Sequence, residues 1–281
     1  MGGLTVLRAL REQLPQANFV YLGDTARLPY GTKSPSTVAK YAEQAASVLV
    51  DRGVGAIVVA CNTASGIALE SLQSRFAPLP VFGVVEPGAQ AACEVVDDSG
   101  VLVLATESTV AWGAYQRAIS NTRSDAKIFA RACPLWVAVA EQGISEGDLA
   151  DAVIGHDLRG FEHTGPRTLL LGCTHFPVFT ETLKKRLPNH QIVDSAATTA
   201  RVVASVLSHP QTEKLGTTDT HSSGSRDSRE DTQCFDGESA KDTQYLRGQV
   251  SFLATDGVAR FKRVGSFFLG ESIDEVELID L

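Results

Sequence analysis

GAIVVACNTAS, residues 55–65, carries a strand, its end and the start of a helix within eleven positions. Ile57, Val58 and Val59 form an apolar, β-branched run, the composition of a strand buried on both faces of a parallel sheet. The run stops at Cys61-Asn62-Thr63, and Ala64 to Leu72 then takes up helical spacing. A thiol, a carboxamide and a hydroxyl are thereby set at the carboxyl end of a strand, facing the N-terminus of the next helix. In open α/β sheets, ligands bind at that place.

The arrangement recurs. Thr168 to Gly172 is a second apolar strand, and it ends in Cys173-Thr174-His175. A single cysteine at a strand end reads as a buried structural thiol, because free Cys is among the most buried residue types. Two of them, each after an apolar strand and a small residue and before two polar groups, point instead to a shared site.

Outward from these two stretches, strands and helices alternate, which predicts an α/β fold. Met1-Gly2-Gly3 reads as a loop, followed by a helix from Leu4 to Leu14 and a strand over 18–22. A doubly wound sheet begins with a strand that feeds its first helix, so the chain reads as if its first element were cut away. The segment from Gly23 to Pro35, with Pro29-Tyr30-Gly31 at its centre, is too long and mixed for a simple turn. It fits equally a surface loop with Tyr30 covering the core and an anion site lined by backbone N–H groups and Tyr30. Further on come a helix over 37–53 and a strand over 80–85 that ends in a Glu86-Pro87-Gly88 loop. A strand over 101–104 leads to one helix capped at Thr106 that runs through Trp112, Tyr115 and Ile119. A segment over 127–132, helices over 136–142 and 148–158, a helix over 179–187 and a strand over 191–193 complete this half. Residues 209–247 are Thr, Ser, Asp, Gly and Gln with few aliphatics, the composition of a disordered insertion, and they contain His221 and Cys234. Order is expected again over 250–254, in a closing helix over 258–269 and in a strand or tail over 276–279.

The net charge of −8 argues against a nucleic-acid surface, which needs a clustered basic face. No apolar run approaches the roughly 18 residues of a membrane helix. Five scattered cysteines without a CxxC pair predict neither a disulfide framework nor a zinc site, and reduced thiols suit a cytoplasmic protein.

Two thiols on opposite sides of a small cleft offer one thiolate to remove a proton and one thiol to return it from the other face. A cysteine of pKa about 8.5 is only slightly ionised at neutral pH, and a helix N-terminus or a cation increases that fraction. His175 stands two residues beyond Cys173 and could assist. Metal binding finds no four-ligand set of suitable spacing, and a cysteine hydrolase would leave the second thiol without work.

At these residues the chain resembles the cofactor-independent aspartate/glutamate racemases, and within them the glutamate racemases. The matching stretches are residues 2–8, 23–34, 59–65, 85–89, 113–119, 132–135, 171–175 and 193–196. The resemblance implies that Cys61 and Cys173 are the acid/base thiols that invert the α-carbon of glutamate, with no pyridoxal phosphate, no other cofactor and no metal. It implies substrate binding by Tyr30, Gly31, Asn62, Thr63, Thr174 and His175, with Glu141 in a supporting place. Gln142 stands where a second acid is common, and Phe176 where a tyrosine is usual. The implied fold is two similar, flavodoxin-like α/β domains facing each other across a cleft, each with a mainly parallel sheet. Residues 1–87 with 197–281 form one, discontinuous domain, and residues 88–196 the other. The implied role is to supply D-glutamate for peptidoglycan, with glutamate as the partner, no nucleic acid, no membrane, and a homodimer left open.

One departure bears on activity. Met1-Gly2-Gly3 matches the last three positions of the family's Asp-Ser-Gly-x-Gly-Gly turn, so the Asp and Ser are expected upstream of a start assigned too late. The 281-residue chain is accordingly expected to be weakly active or inactive. Two other readings stay open: a related two-Cys racemase or isomerase acting on aspartate, hydantoin or maleate, and a non-catalytic binding protein.

Overall fold

Val101 to Ala105 (β4) is aliphatic from end to end and Thr168 to Gly172 (β6) is so over Leu169–Leu171, and every residue of both is buried. They form the centre of a four-stranded, all-parallel sheet of order β5-β4-β6-β7, with β5 at Ile128–Ala132 and β7 at Gln191–Asp194. Continuous apolar runs suit such strands because helices cover both faces of the sheet. The computed structural model describes residues 1–162, 165–208 and 248–281, so the expectation for 209–247 lies outside the described residues.

Two smaller parallel sheets complete the α/β architecture. β1 (Phe19–Gly23) pairs with β8 (Val250–Ala254), which pairs with β9 (Glu277–Leu278). β2 (Ile57–Val59) pairs with β3 (Val81–Gly83). Among the described residues β1 is an edge strand and β2 pairs with β3 alone. β2 departs from the expectation of burial on both faces. Ile57 is buried, but Val58 and Val59 are half-buried, because β1 and β2 both border a cavity of about 680 Å³.

The helices differ from expectation in three places. Met1-Gly2-Gly3 is not a loop: α1 (Gly3–Gln13) begins at once, with Gly2 buried at its N-cap. A Cβ on Gly2 would sit 2.4 Å from His175 Nδ1, so the bare backbone is what lets α1 approach that ring. Glu86-Pro87-Gly88 is not the loop that ends a strand but the first turn of α4 (Val85–Val95). Proline is tolerated there because a first-turn N–H has no intrahelical partner to lose. The single helix expected after Thr106 is two: α5 (Glu107–Trp112) and α6 (Ala114–Thr122), broken at Gly113, whose φ of 64° is left-handed.

The remaining helices are α2 (Pro35–Asp51), α3 (Asn62–Phe76), α7 (Pro134–Ala140), α8 (Asp148–Leu158), α9 (Thr180–Arg186), α10 (Ser195–Ser208) and α11 (Val258–Leu269). α1 packs on α10 and α11, beside the β1–β8 pair. Under α7, Trp136 is fully buried, with its ring centroid 5.0 Å from that of Phe176 and 5.5 Å from that of Phe179. These two phenylalanines belong to a 3-10 turn, Phe176–Phe179, that directly follows the Cys173-Thr174-His175 segment. Core packing and the polar end of β6 are therefore joined.

Candidate active site

Cys61 lies at the end of β2 as the N-cap residue of α3, and Cys173 directly follows β6. Their strands meet at these ends: the Thr174 hydroxyl donates to the Ala60 carbonyl at 3.5 Å, and Thr5 Oγ1 of α1 donates to the Thr174 carbonyl at 2.8 Å. Cys61, Asn62, Thr63, Cys173, Thr174, His175, Glu141, Tyr30 and Gly31 all line the one 680 Å³ cavity. That volume is in the range of small-molecule sites.

The thiols feel each other. Burial pushes Cys173 up to about 12 against the helping N–H of His175, and a charge on Cys61 raises it further. Burial raises Cys61 as well, opposed by the backbone N–H groups of Ala64 and Thr63 at the start of α3. Burial thus favours the protonated form of both sulfurs. A ligand cation and the α3 N-terminus are the influences that favour a thiolate there.

Around each sulfur the polar groups are ordered. Asn62 is 3 % exposed, and its amide donates to Tyr115 Oη at 2.6 Å and to Ser195 Oγ at 3.4 Å. Its Oδ1 is buried with no hydrogen-bond partner among the described residues. Thr63 shares hydroxyl hydrogen bonds with Thr106 and Thr109, both at 3.1 Å. His175 contacts Cys173 Sγ through Nδ1 at 3.7 Å and Glu141 Oε1 through Nε2 at 3.1 Å. Burial lowers the His175 pKa against the raising influence of Glu141, so the ring is neutral at pH 7. Burial pushes the Glu141 carboxyl up, but the hydrogen bond from His175 and the Arg260 guanidinium hold it below the ordinary carboxylate range.

The Gly23–Pro35 segment combines its two readings. Tyr30 lines the cavity, but it also packs in the core against Val38 and Tyr41 and donates its hydroxyl to Asp24. Asp24 in turn pairs with Arg27 at 2.7 Å and accepts from Thr255 at 3.0 Å, which ties the loop to the end of β8. Gly31 lies against Thr106, where a Cβ would come within 2.9 Å, and its carbonyl accepts from Ser108 at 2.5 Å. The loop therefore bridges to the start of α5.

Sequence reasoning missed Tyr115, Ser195 and Arg260. Tyr115 and Ser195 stood inside the matched 113–119 and 193–196 stretches, which is the signal that pointed to them. Arg260 had no local signal: it is one cation in an amphipathic helix. Among the described residues no group of three or more His, Cys, Asp or Glu could hold a metal, and no helix is long and apolar enough to cross a membrane.

The sequence matches the Asp/Glu/hydantoin racemase family model over residues 4–203. It is 38 % identical to the glutamate racemase of Geobacter metallireducens over 282 residues, covering all of this chain and 94 % of the relative. Among solved structures it is similar to the Francisella tularensis glutamate racemase in complex with D-glutamate, with a TM-score of 0.80, 29 % identity and coverage of 99 % of this chain and 94 % of that one. It is also similar to the Thermus thermophilus glutamate racemase bound to β-chloro-D-alanine, with a TM-score of 0.78, 36 % identity and coverage of 100 % and 93 %.

Proposed function

The chain belongs to the Asp/Glu/hydantoin racemase family, and on that premise we propose that it is an isomerase interconverting L- and D-glutamate, a cytoplasmic source of D-glutamate for peptidoglycan. The observation that carries the reading is the pair of cysteines at two strand ends in one cavity. One sulfur, as thiolate, takes the α-proton and becomes a thiol. The other, as thiol, delivers a proton to the opposite face of the carbanion and is left as the thiolate. The electron pair of the broken C–H bond is delocalised onto the α-carboxylate, whose charge donors preorganised in the cavity would stabilise. Asn62, which lines the cavity, is assigned to substrate binding, and the charge of the substrate's ammonium favours a thiolate nearby. Thr63 and Thr174 are assigned to the carboxylates, and Tyr30 and Gly31 form the wall between the loop and α5.

Glutamate is favoured over aspartate, hydantoin and maleate because the full-length relatives are glutamate racemases. The test is a chiral assay of L-glutamate, L-aspartate and a hydantoin. It is run on the 281-residue chain and on a form engineered with an aliphatic strand and an Asp-Ser-Gly turn ahead of Met1. D-glutamate is expected from both forms. Turnover of aspartate or hydantoin but not glutamate would overturn the substrate assignment. Ligand binding with no turnover in either form would favour a binding protein.

A further inference from the structure

Arg260 and Glu141 each occupy a position that their own helix disfavours. Arg260 is the third residue of α11, where a cation opposes the positive end of the helix dipole. Glu141 is the C-cap of α7, where an anion faces the negative end. Neither placement is explained by local structure, and the two side chains meet. Arg260 Nη2 donates to Glu141 Oε2 at 2.7 Å, while Glu141 Oε1 takes the hydrogen bond of His175 Nε2 at 3.1 Å. The carboxylate is thus held by both oxygens, one toward the guanidinium and one toward the imidazole.

We propose that Arg260 is a positioning residue that fixes Glu141, and through it the tautomer and orientation of His175. With the ring proton on Nε2 and engaged by Glu141, Nδ1 is left bare and faces Cys173 Sγ at 3.7 Å. The same helix seats the ring from its other side, since Phe268 of α11 meets it edge-on with centroids 5.1 Å apart. α11 therefore sets His175 twice, by a ring contact and by a charge relay. The relay resembles the way outer partners orient catalytic or ligating histidines in general. Arg260 reaches no thiol with any hydrogen bond, so its action is through Glu141. The charged and titratable groups that face His175 are Glu141 from α7, Cys173 at the end of β6, Cys61 at the start of α3, Arg260 from α11 and the Met1 amino group.

The inference rests on the racemase reading for its kinetic test but not for its spectroscopic one. Arg260→Gln removes the cation and leaves a shorter, neutral donor, and Arg260→Lys keeps the charge. The side chain is 47 % exposed, so both variants are expected to fold. In Arg260→Gln, kcat is expected to fall about tenfold to a hundredfold with KM little changed, as for a misplaced catalytic group. The His175 ring signals in a proton NMR titration should move to lower pH, because the Glu141 carboxylate that favours the imidazolium is no longer held against the ring. Arg260→Lys should restore most of both. Parental kcat in Arg260→Gln, or a fall in kcat with the His175 titration unmoved, would overturn the proposal. Loss of activity in both forms of the parent protein would leave the titration as the deciding readout, and an unmoved titration there would overturn it equally.

Discussion

Replacing either Cys61 or Cys173 by alanine is expected to slow glutamate racemisation by about 10²–10⁴-fold, the contribution of a positioned acid or base. The measurement is the chiral assay on whichever parent form turns over faster. Inversion needs a group on each face of the α-carbon, and the two strand ends supply one each to the same cavity. Because the thiols act in sequence on one proton transfer, the double variant should be little slower than the worse single one. Both sulfurs are held above the ordinary thiol range by burial, so the parental rate should climb as pH rises from neutral. Cys93→Ala is the control. That thiol is half-buried on α4, where it faces the Ile119 carbonyl at 3.9 Å, and its loss should leave the rate within a few-fold. Retention of near-parental rate in either Cys61→Ala or Cys173→Ala would contradict the two-sided scheme.

Trp136→Ala should be the most destabilising single change in the core, at about 3–5 kcal/mol. The indole is fully buried and stacked against Phe176 and Phe179, so truncation leaves a large void that rigid neighbours do not fill. With domain stabilities of about 5–15 kcal/mol, that is about a fifth of the total or more. A fall of about 5–15 °C in Tm is expected by scanning calorimetry. Activity should fall with it, because Phe176 is the residue after His175 and anchors the segment carrying Cys173. Trp136→Phe should cost far less. It keeps an aromatic stack, and it removes an indole N–H that has no partner in the interior. A drop in Tm below about 2 °C for the alanine variant would show that this cluster does not hold the β6 end.

Much of this was legible in the chain because the key signals are local. The two aliphatic runs, each stopped by a cysteine and two polar residues, identified β2, β6 and both thiols without any long-range information. What failed was punctuation. Glu86-Pro87-Gly88 has the composition of a turn, yet Pro87 sits where a helix needs no N–H, and Gly88 is small because Tyr115 and Ser195 press within 3.3 Å of a Cβ there. Gly2 looked like loop for the same reason, when its smallness serves the approach of α1 to His175. Arg260 was invisible because its partner, Glu141, lies 119 residues away and only the fold brings them together. Residues that act through a partner are written in the contacts, not in the neighbouring sequence.

The most direct test of the central claim is the position of deuterium after brief reaction in D2O. L-Glutamate is incubated with the faster parent form, the reaction is stopped at a few per cent conversion, and each enantiomer is isolated and weighed by mass spectrometry. Two one-proton groups on opposite faces predict D-glutamate carrying deuterium at Cα while the remaining L-glutamate keeps its protium. Deuterium appearing equally in recovered L-glutamate and in product, or protium carried over into the D-enantiomer, would mean that a single group serves both faces.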